Sequence, residues 1–374
     1  MALQIPEYKN LVHMLHYWAE RSPDQVAYTF LNDGDEDESK WTYAELDRQA
    51  RAIAAQLQAR GLAGERAVLI YAPGLEYIAG FFGCLYAGVI AVPAYPPDPT
   101  RLERTLPRLQ KIIEDSQSKA ILTTEIIFSM AQVMVSHAPD LERLQWIVTD
   151  RFDLKESENW KDPDIESGRL AFLQYTSGST GDPKGVMLSH GNLLANMKLI
   201  AESFGLERER DTGGSWLPPY HDMGLIGGIM ESLFIGTHSL LMSPLHFLQR
   251  PMRWLKAISK YKIWVSGGPN FAYELVARKA KPEEIAKLDL SPWKLAFCGA
   301  EPILPQTVER FCETFAPCGF DPKAFYSCYG LAEGTLIVSG SRRGQGVVSK
   351  RVHKEDFRKH AVSTAEGHGQ SDHL

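Results

Sequence analysis

Residues 175–186 read Tyr-Thr-Ser-Gly-Ser-Thr-Gly-Asp-Pro-Lys-Gly-Val, and their chemistry is that of a polyphosphate cradle. Thr176, Ser177, Ser179 and Thr180 supply hydroxyls and Lys184 an ammonium, while Gly178, Gly181 and Gly185 let backbone N–H groups approach oxygen closely. Pro183 occupies the place where a Walker A loop has glycine, so this is a different phosphate loop. A Gly/Ser/Thr-rich surface loop has the same composition, and the stretch alone does not separate the two readings. Four further clusters could do chemistry. Trp216 to Ile226 holds a single histidine, His221, beside Asp222 and ahead of a Gly-rich apolar run. Ser266-Gly267-Gly268-Pro269, Gly299-Ala300-Glu301-Pro302 and Tyr329-Gly330-Leu331-Ala332-Glu333 each place glycine next to polar or aromatic groups.

The elements needed to position these groups are legible from apolar periodicity. Strands are expected at Ala67–Tyr71, Val89–Val92, Ala120–Thr123, Trp146–Thr149, Leu170–Tyr175, Thr237–Met242, Ile263–Ser266, Leu295–Cys298 and Phe325–Cys328. Each interval can hold a helix, which predicts an α/β fold with mostly parallel sheets covered on both faces. Leu11, Leu15 and Trp18 share a helical face that should stop before Ser22-Pro23, and Thr42 to Glu45 has capping-box form. The acidic stretch 33–38 reads as a solvated loop. A buried helix is expected to turn at Gly88 into a strand. A helix with Leu193, Met197, Ile200 and Phe204 on one face follows the phosphate loop. Four of the motifs sit just beyond a strand's carboxyl end, where α/β sheets bind ligands, and this predicts one shared crevice.

In order and wording these motifs resemble the adenylate-forming ligases, the superfamily of acyl-CoA synthetases, peptide-synthetase adenylation domains and luciferases. The resemblance runs from about residue 10 to 340. The run Ala91 to Pro99, with Arg101-Leu102 and Thr105 to Leu109, and the Tyr-His-Asp-Met-Gly-Leu-Ile-Gly-Gly form of the histidine motif narrow it to the fatty acyl-AMP ligases. The resemblance implies two stacked αβα subdomains and ATP-dependent conversion of a medium- or long-chain fatty acid to acyl-AMP and pyrophosphate, with transfer to an acyl carrier protein. It implies ATP held by Thr176 to Gly181 and Lys184, by Gly299, Ala300 and Glu301 as a wall of the adenine pocket, and by Tyr329 and Gly330 at the base. Thr180 and Glu333 would contact Mg²⁺. His221, with Lys184 the implied catalytic pair, would lie beside the substrate carboxylate and the α-phosphate, and Asp222 would orient its ring or cap the next helix. Met223, Gly224, Leu225, Ile226, Gly227, Gly228 and Gly268 would line the acyl tunnel; for the residues after Asp222, ordinary helix packing is the competing reading.

Net charge is −6, with 44% hydrophobic and 23% charged residues, the balance of a globular protein and not of a general nucleic-acid binder. The five cysteines show no CxxC spacing, so reduced thiols and a cytoplasmic location are expected. No signal peptide is legible, and the apolar run from Tyr77 breaks at Pro93, too short for a membrane span. The expected organisation is 1–169 as a first α/β subdomain, 170–340 as a second carrying the ATP and acyl-adenylate site, and 341–374 as a polar, basic connector. No Thr-Gly-Asp segment or C-terminal domain with its catalytic lysine follows, so the chain reads as cut short and turnover as weak. The rival readings are an acyl-CoA ligase and a non-catalytic acyl-adenylate or nucleotide-binding module.

Overall fold

The computed structural model describes residues 5–130, 138–176, 182–208, 210–364 and 371–373. The chain divides into two compact units, Met1–Leu248 with Leu331–Leu336, and Gln249–Gly330 with Ile337–Leu374.

In the first unit, α1 (Leu11–Arg21) ends at Ser22, and α2 (Tyr43–Ala59) opens on a capping box in which Thr42 accepts from the Glu45 amide and the Glu45 carboxylate accepts from the Thr42 amide. β1 (Val26–Leu31) and β2 (Glu38–Thr42) pair antiparallel around the acidic turn. There follow β3 (Arg66–Ile70), α3 (Leu75–Ala87), β4 (Ile90–Pro93), α4 (Leu102–Ser116), β5 (Ala120–Thr123), β6 (Gln145–Val148), β7 (Leu170–Thr176) and β8 (Lys184–Ser189). Strand order is β6-β5-β3-β4-β7-β8, parallel except for the β7–β8 hairpin. Val68, Ile70, Val92 and Ile121 form one cluster with Leu106, Leu109 and Ile113 of α4, while Phe81 of α3 packs edge-on against Phe172 of β7. Cover on both faces explains why these strands read as unbroken apolar runs. Gly88, at φ +70°, ends α3 in the left-handed region a non-glycine residue resists.

β9 (Gly213–Ser215) and β10 (Ser239–Met242) join β1 and β2 in the order β9-β10-β1-β2. Between β9 and β10, residues Met223–Met230 form a π-helix that continues as an α-helix over Glu231–Ile235. Glu231 is 4% exposed, and neither of its carboxyl oxygens has a hydrogen-bond partner among the described residues.

In the second unit, β11 (Val265–Gly268), β12 (Leu295–Cys298) and β13 (Phe325–Gly330) run parallel, and β14 (Ile337–Gly340) closes antiparallel on β13. Trp254, Tyr273, Trp293, Phe311 and Phe325 form its aromatic core. The basic stretch after Ser341, which shows no apolar pattern, holds β15 (Arg351–His353) and a short helix, Lys354–Arg358.

Candidate active site

The phosphate-loop motif begins on β7 and ends on β8. Thr176 is the last residue of β7 and lies opposite Lys184, the first of β8. The described ends of the motif are therefore paired strands, and the helix His190–Phe204 follows only after β8. A Cβ on Gly185 would stand 2.9 Å from the Tyr175 ring, so the lysine's neighbour must be small for the hairpin to close over that ring. The Tyr175 hydroxyl donates to the Asp115 carboxylate at 2.5 Å; burial, then this carboxylate, push its ionisation above the ordinary phenol range. Lys184 is exposed, with no described acid paired to it. Ser177, Gly178, Ser179, Thr180 and Gly181 lie outside the described residues.

His221 sits at the entry to the π-helix. Its Nδ1 is 2.7 Å from Asp222 Oδ1, and the Met223 amide donates to that same oxygen at 2.6 Å. The Met223 amide is also 3.4 Å from His221 Nδ1, but the shorter contact assigns it to the carboxylate and leaves Nδ1 free to carry a proton toward Asp222. The hydrogen bond to Asp222 raises the imidazole pKa above its ordinary value, against the lowering effect of burial. In the protonated ring Nε2 is also a donor, available to an anion.

Beside His221 opens a cavity of about 380 Å³. Its walls are Pro93 to Pro97, Tyr175, Pro218 and Tyr220, with Arg104 and Arg108 of α4 on the rim. Tyr95 and Tyr220 meet edge to face at 4.6 Å between centroids, and Gln174 donates to the Tyr220 carbonyl at 3.0 Å. Aromatic walls, an imidazole and two rim guanidinium groups suit a slender apolar ligand that carries an anionic group. Of the described residues expected to act chemically, only His221 lines this cavity. Tyr95, Tyr220 and Arg108 were in view only as part of a motif, and Arg104 was missed; its i, i+4 spacing to Arg108 was the signal that the two arginines share a face.

Of the residues expected to line the acyl tunnel, Met223 to Gly228 occupy the π-helix, where most are packed, and Gly268 instead ends β11. A Cβ on Gly224 would stand 2.0 Å from the Pro218 carbonyl oxygen, and Met223 and Ile226 are buried. Gly227 is half-buried and faces Leu336, 3.3 Å from the position of an added Cβ. Glu333 is exposed on the loop Leu331–Leu336.

The second unit brings the other motif residues to one edge. Gly268, Gly299, Ala300, Tyr329 and Gly330 lie at the carboxyl ends of the adjacent strands β11, β12 and β13. Ala300 holds φ +66°, and a Cβ on Gly299 would meet the Cys328 carbonyl at 2.6 Å. The Glu301 carboxylate accepts from the Phe271 amide at 2.6 Å and so caps the helix Asn270–Lys279. Tyr329 is 60% exposed, which removes it from the core.

The profile of the AMP-binding enzyme family matches residues 15–356. The chain belongs to that family. It is 46% identical over 341 residues to JamA, a medium-chain-fatty-acid–[acyl-carrier-protein] ligase of Moorena producens, covering 91% of this chain and 57% of that protein. It is 34% identical to FadD23, a long-chain-fatty-acid–AMP ligase of Mycobacterium tuberculosis, covering 89% of this chain and 58% of that one. A crystal structure of the Legionella pneumophila fatty acyl-adenylate ligase, in complex with acyl adenylate and pyrophosphate, superposes with a TM-score of 0.91 at 42% identity, covering 98% of this chain and 63% of that chain. The chain thus spans somewhat over half the length of these relatives. The AMP-binding enzyme fold, mixed α/β with mostly parallel strands, is the fold expected from the strand pattern. Among the described residues, no helix is long and apolar enough to cross a membrane.

Proposed function

We propose that this chain carries the substrate-binding part of a fatty acid–AMP ligase, joining a medium- or long-chain fatty acid to the AMP of ATP, releasing pyrophosphate, and supplying the acyl group to an acyl carrier protein in the cytoplasm. The observation that supports this most directly is 42% identity, over nearly the whole chain, to a ligase solved with its acyl adenylate. The His221–Asp222 pair fits the same chemistry.

In that reaction a carboxylate oxygen attacks the α-phosphorus, a new P–O bond forms, and the bond to the pyrophosphate oxygen breaks. Both reactants are anions, so catalysis is charge neutralisation and in-line positioning. Nε2 of His221 would donate to the carboxylate or an α-phosphate oxygen, with Asp222 holding the ring and its charge. Lys184, at the head of β8, would neutralise the leaving polyphosphate. Thr176 and residues 177–181 would hold it, and adenosine recognition is proposed for the strand tips of the second unit. Mg²⁺, when bound with ATP, would neutralise phosphate charge. Glu333 fits such an ion. It is an exposed carboxylate, and among the described residues no group of three His, Cys, Asp or Glu could hold a metal. An ion that takes few protein oxygens and fills its shell with phosphate and water needs no more, with Thr180 the second proposed ligand.

One relative at 37% identity is named a putative fatty-acid–CoA ligase, which keeps coenzyme A as the second reading of the acceptor. Calorimetric titration with a non-hydrolysable dodecanoyl-adenylate analogue tests the proposal without requiring turnover. Micromolar or tighter binding, weakened at least tenfold in His221→Ala, supports it. A folded protein that binds no analogue overturns it.

A further inference from the structure

The loop Leu331–Leu336, which presents Glu333, is closed on itself. The Leu331 amide donates to the Leu336 carbonyl at 3.0 Å, Gly334 to Leu331 at 3.0 Å, and Thr335 to Ala332 at 2.9 Å. The Leu336 amide donates to the Gly334 carbonyl at 3.0 Å, and the residue between them, Thr335, has φ 74° and ψ −63°. Those angles and that bond define a γ-turn of the rare, strained hand. Threonine is β-branched and pays more than most residues to hold positive φ. A backbone in such a state persists only where its surroundings over-determine it.

Two groups outside the loop contribute to that. Asn196, 8% exposed on the helix His190–Phe204, donates its Nδ2 to the Gly334 carbonyl at 3.2 Å. Leu336 packs against the side-chain-free surface of Gly227 in the π-helix. The Gly334 carbonyl therefore accepts twice, once from within the turn and once from Asn196.

We infer that Asn196 is a positioning residue for the metal-side carboxylate: its amide holds the strained turn at Thr335 and so fixes the backbone from which Glu333 reaches an ion. The inference rests on the proposed role of Glu333. A ligand on a pre-set backbone binds without the cost of ordering its loop, and groups that orient metal ligands typically govern metal affinity by ~10–100-fold.

The test is titration of the whole chain with a non-hydrolysable ATP analogue at a series of Mg²⁺ concentrations, with the acyl-adenylate analogue as a probe that needs no metal. Asn196→Ala should raise the Mg²⁺ concentration for half-maximal nucleotide binding about tenfold, leaving acyl-adenylate affinity unchanged. Asn196→Leu, which keeps the volume and removes the donor, should do the same and serves if the alanine variant fails to fold. Thr335→Gly relieves the strain, because glycine adopts positive φ freely; placed in the Asn196→Ala background it should recover part of the shift. If Glu333→Gln moves the Mg²⁺ midpoint and neither Asn196 variant does, the inference is wrong. Equal weakening of acyl-adenylate binding by the Asn196 variants would also overturn it, since that marks a merely structural role. If Glu333→Gln leaves the midpoint unmoved, the metal role of Glu333 fails first.

Discussion

His221 takes its character from the residue that follows it. The hydrogen bond to Asp222 raises the imidazole pKa, so Asp222→Asn should bring it back toward or below the ordinary value. The asparagine carbonyl can still accept from the Met223 amide, which keeps the turn intact. NMR titration of the histidine ring carbons checks this, and an unchanged His221 midpoint would show that Asp222 does not set it. Because the folded pKa is the higher one, the contribution of the pair to stability is present below the ordinary imidazole value and is lost as pH rises through the raised one. The sequence identified His221 through its motif but left Asp222 between two roles, orienting the ring and capping the next helix. The structure gives it both through one oxygen, 2.7 Å from Nδ1 and 2.6 Å from the Met223 amide. Spacing alone could not show this, because it depends on the rotamer of one side chain.

The π-helix Met223–Met230 is the element on which small residues decide most. In the sequence its glycines look like room for an alkyl chain. In the structure Gly224 has a packing reason to be glycine, since its α-carbon lies under the Pro218 carbonyl and no flexible side chain is there to yield. Gly224→Ala should therefore destabilise by about 3 kcal/mol or more, the upper range for overpacking, measured by urea unfolding. Gly227→Ala meets only the movable end of Leu336 and should cost much less. Equal costs would refute the packing argument. All nine strands expected from apolar runs are present, with ends shifted by a residue or two where turn chemistry decides. β8 and β9 were not legible. One opens on Lys184-Gly185 and the other is Gly-Gly-Ser, and both are strands because β7 and β10 offer them partners. Hydrogen bonds to a partner strand leave no pattern in a strand's own residues, and the motif from Thr176 to Val186 looked like loop for the same reason.

Stability of the first unit as a whole should depend on pH through two buried groups that oppose each other. His190, 1% exposed, accepts from the Leu11 amide through Nδ1, and burial, with Arg169 nearby, lowers its pKa to about 4. Below the ordinary imidazole value of about 6.5 the unfolded chain takes up a proton that the folded chain refuses, so this contribution falls as pH falls and is spent near pH 4. Its full size is about 3 kcal/mol, at about 1.36 kcal/mol per pKa unit. Glu231 works the other way. Burial without a hydrogen-bond partner raises its pKa well above the usual carboxyl value, so above about pH 4.5 the unfolded chain loses a proton that the folded chain keeps, and stability falls as pH rises. From about pH 4.5 upward the two slopes oppose each other, one proton gained and one released on unfolding. Removing either group should expose the other. Glu231→Gln should show stability climbing from about pH 4 to 6.5 and then levelling, whereas His190→Asn should show a decline from about pH 4.5 upward. Urea midpoints measured at half-unit steps from pH 4 to 8 resolve both slopes. Parallel profiles for wild type and both variants would mean that neither group titrates differently in the folded chain, and that the interior around Glu231 admits water to its carboxyl.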